Sequence, residues 1–215
     1  MYGICMEGNE AAFERALDRA ARLRPDPLYT LQAVEIGTAV AQTTVGIADY
    51  WQSKEVYADI HTFDLPDGWS FSAEMVARLV SDFEQRAANQ GEQYVNIYPQ
   101  VHPQGAIGVI TNADAWDPAF PVHFAFVDGC HGASCAKADF LALHAISQPG
   151  TVIVFHDTSQ SCQLVGPVQP HCGTPIDVRR ALHELGLLGN NLRSDWQLLE
   201  ETQTANGISV FQRTV

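Results

Sequence analysis

The chain has 215 residues, 12 Lys and Arg against 25 Asp and Glu, and a net charge of −13. That length suits one α/β domain able to bury a sizeable core. The acidic excess excludes non-specific nucleic-acid binding, which needs clustered cations to displace phosphate counterions, and it excludes a polybasic membrane-surface protein.

Taken in chain order, Asn9 is placed to cap a helix carrying Ala12, Phe13, Ala16, Leu17, Ala20 and Leu23 on one face, stopped by Pro25 and Pro27. Ala33 to Ile36 is a short apolar run ending at Gly37, which reads as a buried strand. Thr38 to about Trp51 follows as a helix, and Ile60 to Phe63 as a second strand. Ser72 opens an amphipathic helix with Met75, Val76, Leu79, Val80, Phe83 and Ala87 on one side, ended by Gly91. Tyr94 to Tyr98 is strand-like, but Pro99 and Pro103 break it, so Glu92 to Gly105 reads as an insertion and Ile107 to Thr111 as the third strand.

Val122 to Val127 reads as a fourth strand, Ala133 to Ser147 as a helix, Pro149-Gly150 as a turn, and Thr151 to Phe155 as a fifth strand. Thr158 to Thr174 is a long linker flanking the carboxyl end of the sheet, with Leu65 to Phe71 beside it; both suit a substrate lid. A helix from Pro175 to about Leu188 precedes two strands, Trp196 to Glu200 and Ile208 to Gln212, joined by an Asn206-Gly207 turn. Alternating strands and helices predict a single α/β domain, residues 1–215, with residues 1–27 as an N-terminal helical extension. The sheet is doubly wound and Rossmann-like.

In such a sheet, ligands bind at the carboxyl ends of the strands. All five expected parallel strands end on or near an acid: Glu35, Asp64, Asp114, Asp128 and Asp157. The first turn lacks the second glycine of a dinucleotide site, having Gly37-x-Ala39-x-Ala41, and Glu35 precedes it, which is poor for pyrophosphate. An acid-x-Gly-x-small-x-small turn suits instead a nucleoside carrying an amino acid and a sulfonium, namely S-adenosylmethionine. Asp64 is placed to accept the ribose hydroxyls and Asp114 the adenine amino group. Taken alone, the turn reads more readily as a tight-turn glycine at Gly37 with Glu35 satisfying the helix or loop, because short glycine motifs are weak signals.

Three stretches carry a resemblance: Val34-Glu35-Ile36-Gly37-Thr38; Phe126-Val127-Asp128-Gly129-Cys130-His131 with Lys137-Ala138-Asp139; and Pro149 to Thr158 with its His156-Asp157-Thr158 end. Together they resemble class I S-adenosylmethionine-dependent methyltransferases, in particular the small-molecule O-methyltransferase group of macrolide-sugar and cephalosporin-pathway type. The resemblance covers about residues 30 to 213 and implies a seven-stranded sheet, mostly parallel, with an antiparallel C-terminal strand. It implies that Glu35, Gly37, Thr38, Asp64, Asp114 and Asp128 line the cofactor site, and that Asp128, His156 and Asp157 hold a divalent ion such as Mg²⁺ in metal-dependent members. The chain departs from the pattern at Ala39 and Ala41, where glycines are usual, and at Cys130, where an acid is often found.

Methyl transfer to a hydroxyl needs the acceptor oxygen held in line and its proton removed. A divalent ion fixes the oxygen and lowers its pKa, as template and Lewis acid; imidazole titrates near working pH, so His131 or His156 could act as base, with His131 the candidate beside Asp128. His156-Asp157 also reads as a hydrogen-bonded pair tying the strand to its loop. The resulting expectation is methyl transfer from S-adenosylmethionine to a small-molecule hydroxyl, with no nucleic-acid or membrane partner and a homo-oligomer left open. A nicotinamide-dependent oxidoreductase and a non-catalytic relative are the alternatives. The five cysteines, Cys5, Cys130, Cys135, Cys162 and Cys172, form no framework pattern, and the N-terminus carries no signal peptide, so reduced thiols in the cytoplasm are expected.

Overall fold

The computed structural model describes residues 8–66, 73–111, 121–160 and 176–215. Seven strands form one sheet: β1 (Leu31–Ile36), β2 (Ala58–Asp64), β3 (Val95–Val101), β4 (Val122–Val127), β5 (Ser147–His156), β6 (Trp196–Glu201) and β7 (Ile208–Arg213). Their order is β3-β2-β1-β4-β5-β7-β6. The first five run parallel, and β7 is antiparallel to both β5 and β6. The doubly wound sheet with an antiparallel C-terminal strand is as the sequence predicts.

The described helices are α1 (Glu10–Ala21), α2 (Gln42–Ser53), α3 (Ala73–Asn89), α4 (Gly105–Ile110), α5 (Ala133–Ile146) and α6 (Val178–Glu184). The first three cover one face of the sheet and the last three the other, because β1 and β4 are buried at every position and alternate residues feed two separate cores. Helix α1 belongs to the first core rather than lying apart from it. Its Phe13 meets Phe124 and Phe126 of β4 edge-on, with ring centroids 5.9 and 5.1 Å apart. Asn9 sits before α1 but makes no cap hydrogen bond with its side chain. Instead Asn9 Oδ1 accepts from the Thr202 hydroxyl at 2.5 Å and Nδ2 donates to the Thr204 carbonyl at 3.3 Å, tying α1 to the β6–β7 turn.

Four expectations need correction. Ile107 to Thr111 is not the third strand: it lies in and after helix α4. The third strand is Val95–Val101, where Pro99 is accommodated because β3 is the sheet edge and needs no donor on its open side. Helix α2 begins at Gln42 rather than Thr38, since Ala39 and Ala41 take left-handed backbone conformations (φ 45° and 61°) and hold the preceding turn. Pro149-Gly150 lies within β5, where Gly150 (φ 98°) absorbs a register jump against β4 between Val122 and Phe124.

Candidate active site

The order of the strands reverses between β1 and β4, so the loops leaving them diverge and open a crevice at their carboxyl ends. The two strands are locked there: the Asp128 amide donates to the Ile36 carbonyl at 2.9 Å. Gly37 follows Ile36 at φ 97°, and a Cβ on it would lie 2.3 Å from the Asp128 carbonyl oxygen. Only glycine fits, on both counts. The Gly37 and Thr38 amides donate to the Phe63 carbonyl at 2.9 and 3.2 Å, which binds the turn to the end of β2.

Asp64 ends β2 and faces this turn. Its Oδ2 accepts from the Ala39 amide at 2.8 Å, and its Oδ1 from the Leu65 amide at 2.7 Å. Two oxygens offer about four acceptor positions, so each keeps capacity for a further donor. That is the requirement for recognising a vicinal diol. Glu35 lies deeper, 1% exposed, and its Oε2 accepts from the hydroxyls of Thr44 and Thr62. Thr62 also shares a hydrogen bond with Thr38 at 2.5 Å. Burial pushes the Glu35 carboxyl up to about 7 against the opposing effect of the two hydroxyls. Glu35 therefore braces the turn from below, while Gly37, Thr38 and Asp64 surround it. Asp114, the remaining residue expected at the cofactor, lies outside the described residues. The strand it was expected to end is helix, so the strand-end argument does not reach it.

On the other side of the crevice, Asp128, His131, His156 and Asp157 come together from the ends of β4 and β5. His156 Nδ1 lies 2.9 Å from Asp128 Oδ1 and 3.2 Å from Asp157 Oδ1. His131 Nε2 lies 3.3 Å from Asp128 Oδ1 and 3.1 Å from Asp157 Oδ2. Burial alone would raise the Asp128 carboxyl, but His156 and His131 more than reverse it and hold it below the usual range. Burial would lower the His131 imidazole; the hydrogen bond to Asp128 and the charge of Asp157 raise it instead. Asp157 is 2% exposed, in a left-handed conformation (φ 58°), and its carboxyl is raised chiefly by burial.

Asp128, His131 and Asp157 each offer one ligand atom, all within 4.8 Å of one another. Two carboxylate oxygens and an imidazole nitrogen are a donor set for Mg²⁺ or Mn²⁺. The convergent histidine is thus His131, read from the sequence as a base, while His156, read as a metal ligand, bridges the two carboxylates through Nδ1. The Nδ1 of His131 is buried and has no hydrogen-bond partner among the described residues.

Two features here escaped sequence reading. Cys130 and Cys135 form a disulfide, with Cα atoms 5.7 Å apart, which corrects the expectation of reduced thiols for this pair. It closes the loop that carries His131 onto the first turn of α5. The partners of Glu35 were also not foreseen: Thr44 and Thr62 are scattered along the chain and carry no motif. The expected lid, Thr158 to Thr174, lies from residue 161 onward outside the described residues, as does most of the expected Leu65 to Phe71 segment.

A family model described as a methyltransferase domain matches residues 34–158. No curated protein matches the chain. Among solved structures, the chain is similar to the O-methyltransferase TomG from Streptomyces achromogenes, involved in tomaymycin synthesis and solved with S-adenosylmethionine. The identity is 20%, the TM-score 0.57, and the match covers 94% of this chain and 80% of that one. It is similar also to an O-methyltransferase from Bacillus cereus solved with S-adenosylhomocysteine, at 14% identity and TM-score 0.55, over 98% and 89% of the two chains. A methyltransferase from Podospora anserina, bound to S-adenosylhomocysteine, matches at 14% identity and TM-score 0.53, over 94% and 77%. At these identities the likeness speaks for the fold.

Proposed function

Belonging as it does to the methyltransferase-domain family, the chain is an S-adenosylmethionine-dependent methyltransferase, and we propose that its acceptor is a hydroxyl of a small molecule bound over Asp128, His131 and Asp157. The observation that carries this reading is the convergence of those three side chains beside the Gly37 turn. S-adenosylmethionine, when bound, supplies an electrophilic methyl on a sulfonium. Gly37, Thr38 and Asp64 would hold it, with Asp64 taking the ribose hydroxyls through its remaining acceptor capacity. Asp114 and the backbone around Asp128 complete the proposed cofactor set.

The chain's own groups account for the acceptor. With its Nε2 turned to Asp128 and Asp157, His131 presents Nδ1 as the nitrogen open to a further partner. If the Nε2–H is the one donated to the carboxylates, Nδ1 carries the lone pair and takes the hydroxyl proton as methyl transfer proceeds. Asp128 and Asp157 hold the ring and stabilise the imidazolium that results. A divalent cation held instead by Asp128, His131 and Asp157, with His156 orienting both carboxylates, would lower the pKa of the acceptor hydroxyl, and His131 would then serve as a ligand rather than as the base. Asp157 is buried away from water, while Asp128 and His131 remain partly exposed at the crevice. The likeness to O-methyltransferases supports oxygen as the methylated atom.

Among the described residues no helix is long and apolar enough to cross a membrane. We read the protein as acting in the cytoplasm on a small molecule, as one domain, with self-association as the open partner. The test is release of S-adenosylhomocysteine from S-adenosylmethionine across a panel of hydroxylated small molecules. Turnover with at least one acceptor, lost in His131→Ala and Asp157→Asn, is expected. Turnover on amines alone would overturn the hydroxyl reading, and turnover indifferent to both substitutions would remove His131 and Asp157 from the site.

A further inference from the structure

The loop from Asp128 to α5 serves both halves of the site. On one side it packs against the cofactor turn: the Gly129 Cα lies 2.8 Å from where a Cβ on Gly37 would be. On the other it carries His131, whose Nε2 meets Asp128 and Asp157. Its backbone has few holds of its own. Among the described residues, the amides of residues 129–132 donate no backbone hydrogen bond. The loop accepts instead: the Asp177 amide donates to the His131 carbonyl at 2.8 Å, and the Ala136 amide to the Gly132 carbonyl at 3.0 Å.

The covalent hold is Cys130–Cys135, which spans His131 and joins the loop to the first turn of α5. The fold does not depend on this bond to bring β4 and α5 together. Ala125 and Val127 of β4 already share the second core with Ala136 and Phe140 of α5. What the bond adds is a fixed path for the loop between them. Both cysteines are partly exposed, so the bond is not sealed in either core. Disulfides that form in a reducing cytoplasm are chiefly transient, catalytic or redox-sensing, and exposed ones are the labile, regulatory kind.

We propose that the Cys130–Cys135 disulfide is a redox switch on methyl transfer, closed in the active form and opened by a monothiol reductant of the glutathione class. The inference rests on the readings of His131 as an acceptor-site residue and of the protein as cytoplasmic given above. A glutathione thiolate attacks one sulfur and displaces the other as a thiolate, which takes up a proton. A second glutathione thiolate attacks the mixed disulfide and releases the remaining cysteine. The protein gains two electrons and two protons, and glutathione leaves as its own disulfide. The opened loop no longer holds His131 in one place. Glutathione disulfide runs the exchange backwards and closes it.

The test follows amide hydrogen exchange by NMR in the full chain, before and after millimolar reduced glutathione. Alkylation and mass spectrometry count the free thiols of Cys130 and Cys135. The account expects glutathione to free both thiols and the thermal melt to stay cooperative. The Ala136 and Asp177 amides, which donate to the loop, should exchange faster by about tenfold or more, while those of β4 keep their rates. Turnover should fall by about tenfold or more and return with glutathione disulfide. The double variant Cys130→Ser, Cys135→Ser should show the fast exchange with or without glutathione.

A bond that stays closed in reduced glutathione overturns the inference and leaves the disulfide as a staple. Unchanged exchange at Ala136 and Asp177, loss of protection throughout the chain, or turnover that keeps its rate on reduction each overturns it too. Turnover indifferent to His131→Ala removes His131 from the site, yet the response of turnover to glutathione still decides on the switch. If no acceptor turns over in either state, the proposed function fails by itself, and the exchange rates decide whether the bond controls the loop.

Discussion

The carbonyl oxygen of Asp128 occupies the space a side chain on Gly37 would need, 2.3 Å from where its Cβ would be. The cofactor turn and the Asp128 loop are thus packed backbone to backbone. Gly37→Ala must move one away from the other and also force alanine into φ 97°. We expect it to lose about 3 kcal/mol of stability and to lose S-adenosylhomocysteine binding altogether. Thermal denaturation and calorimetry check both. A Gly37→Ala protein that binds normally would mean that the turn does not touch the cofactor.

Glu35 gives a pH dependence of definite sign. Its folded carboxyl is raised from 4.5 to about 7, chiefly by burial. The folded state therefore binds more protons than the unfolded state across that interval, and stability falls as pH rises through it. Asp139 of α5, raised by burial to about 7, acts in the same direction and cancels when variants are compared. The stability difference between Glu35→Gln and wild type should shift in favour of the variant by about 3 kcal/mol between pH 4 and pH 8. A difference independent of pH, from denaturant melts at both values, would contradict the buried, internally bonded Glu35.

Much of this was legible in the chain. β4 and most of β5 show as apolar runs because they are buried on both faces, and Gly37, Asp64, Asp128 and Asp157 fall at the ends of β1, β2, β4 and β5. The misreading of β3 has a physical source. Pro99 argues against a strand only where its missing donor is needed, and the edge position removes that need. With β3 unseen, the apolar Ile107–Ile110 stretch took its place, although its burial comes from one helical turn of α4 packed against the second core. Roles that depend on orientation were not legible at all. That His131 joins the carboxylates beside His156 is decided by the loop after Asp128, and the bonds from Ser159 to the β6–β7 turn join distant segments.

Ala39 stands at φ 45°, where an L-residue is disfavoured by roughly 1–2 kcal/mol. Glycine relieves that cost and returns part of it as freedom in the unfolded chain. Ala39→Gly should therefore stabilise the protein by up to about 1 kcal/mol and leave the Ala39 amide on Asp64. Denaturant melts measure it. A clear loss of stability would mean that the methyl of Ala39 packs to an advantage that outweighs its strain.

The Cys130–Cys135 disulfide closes a short loop and should contribute about 2 kcal/mol through the unfolded chain. A dithiol reductant should lower the melting temperature of the wild type and leave a Cys130→Ser, Cys135→Ser double variant unmoved. Alkylation of Cys130 and Cys135 without reductant, read by mass spectrometry of the native protein, would show that the bond is not present in solution.

The central claim is that the crevice between β1 and β4 binds an S-adenosyl cofactor, with Asp64 on its ribose. Isothermal titration with S-adenosylhomocysteine tests it most directly. The account predicts one site per chain, a raised melting temperature in its presence, loss of binding in Asp64→Ala, and no heat with NAD. Absence of heat at millimolar S-adenosylhomocysteine, together with an unmoved melting temperature, would contradict it.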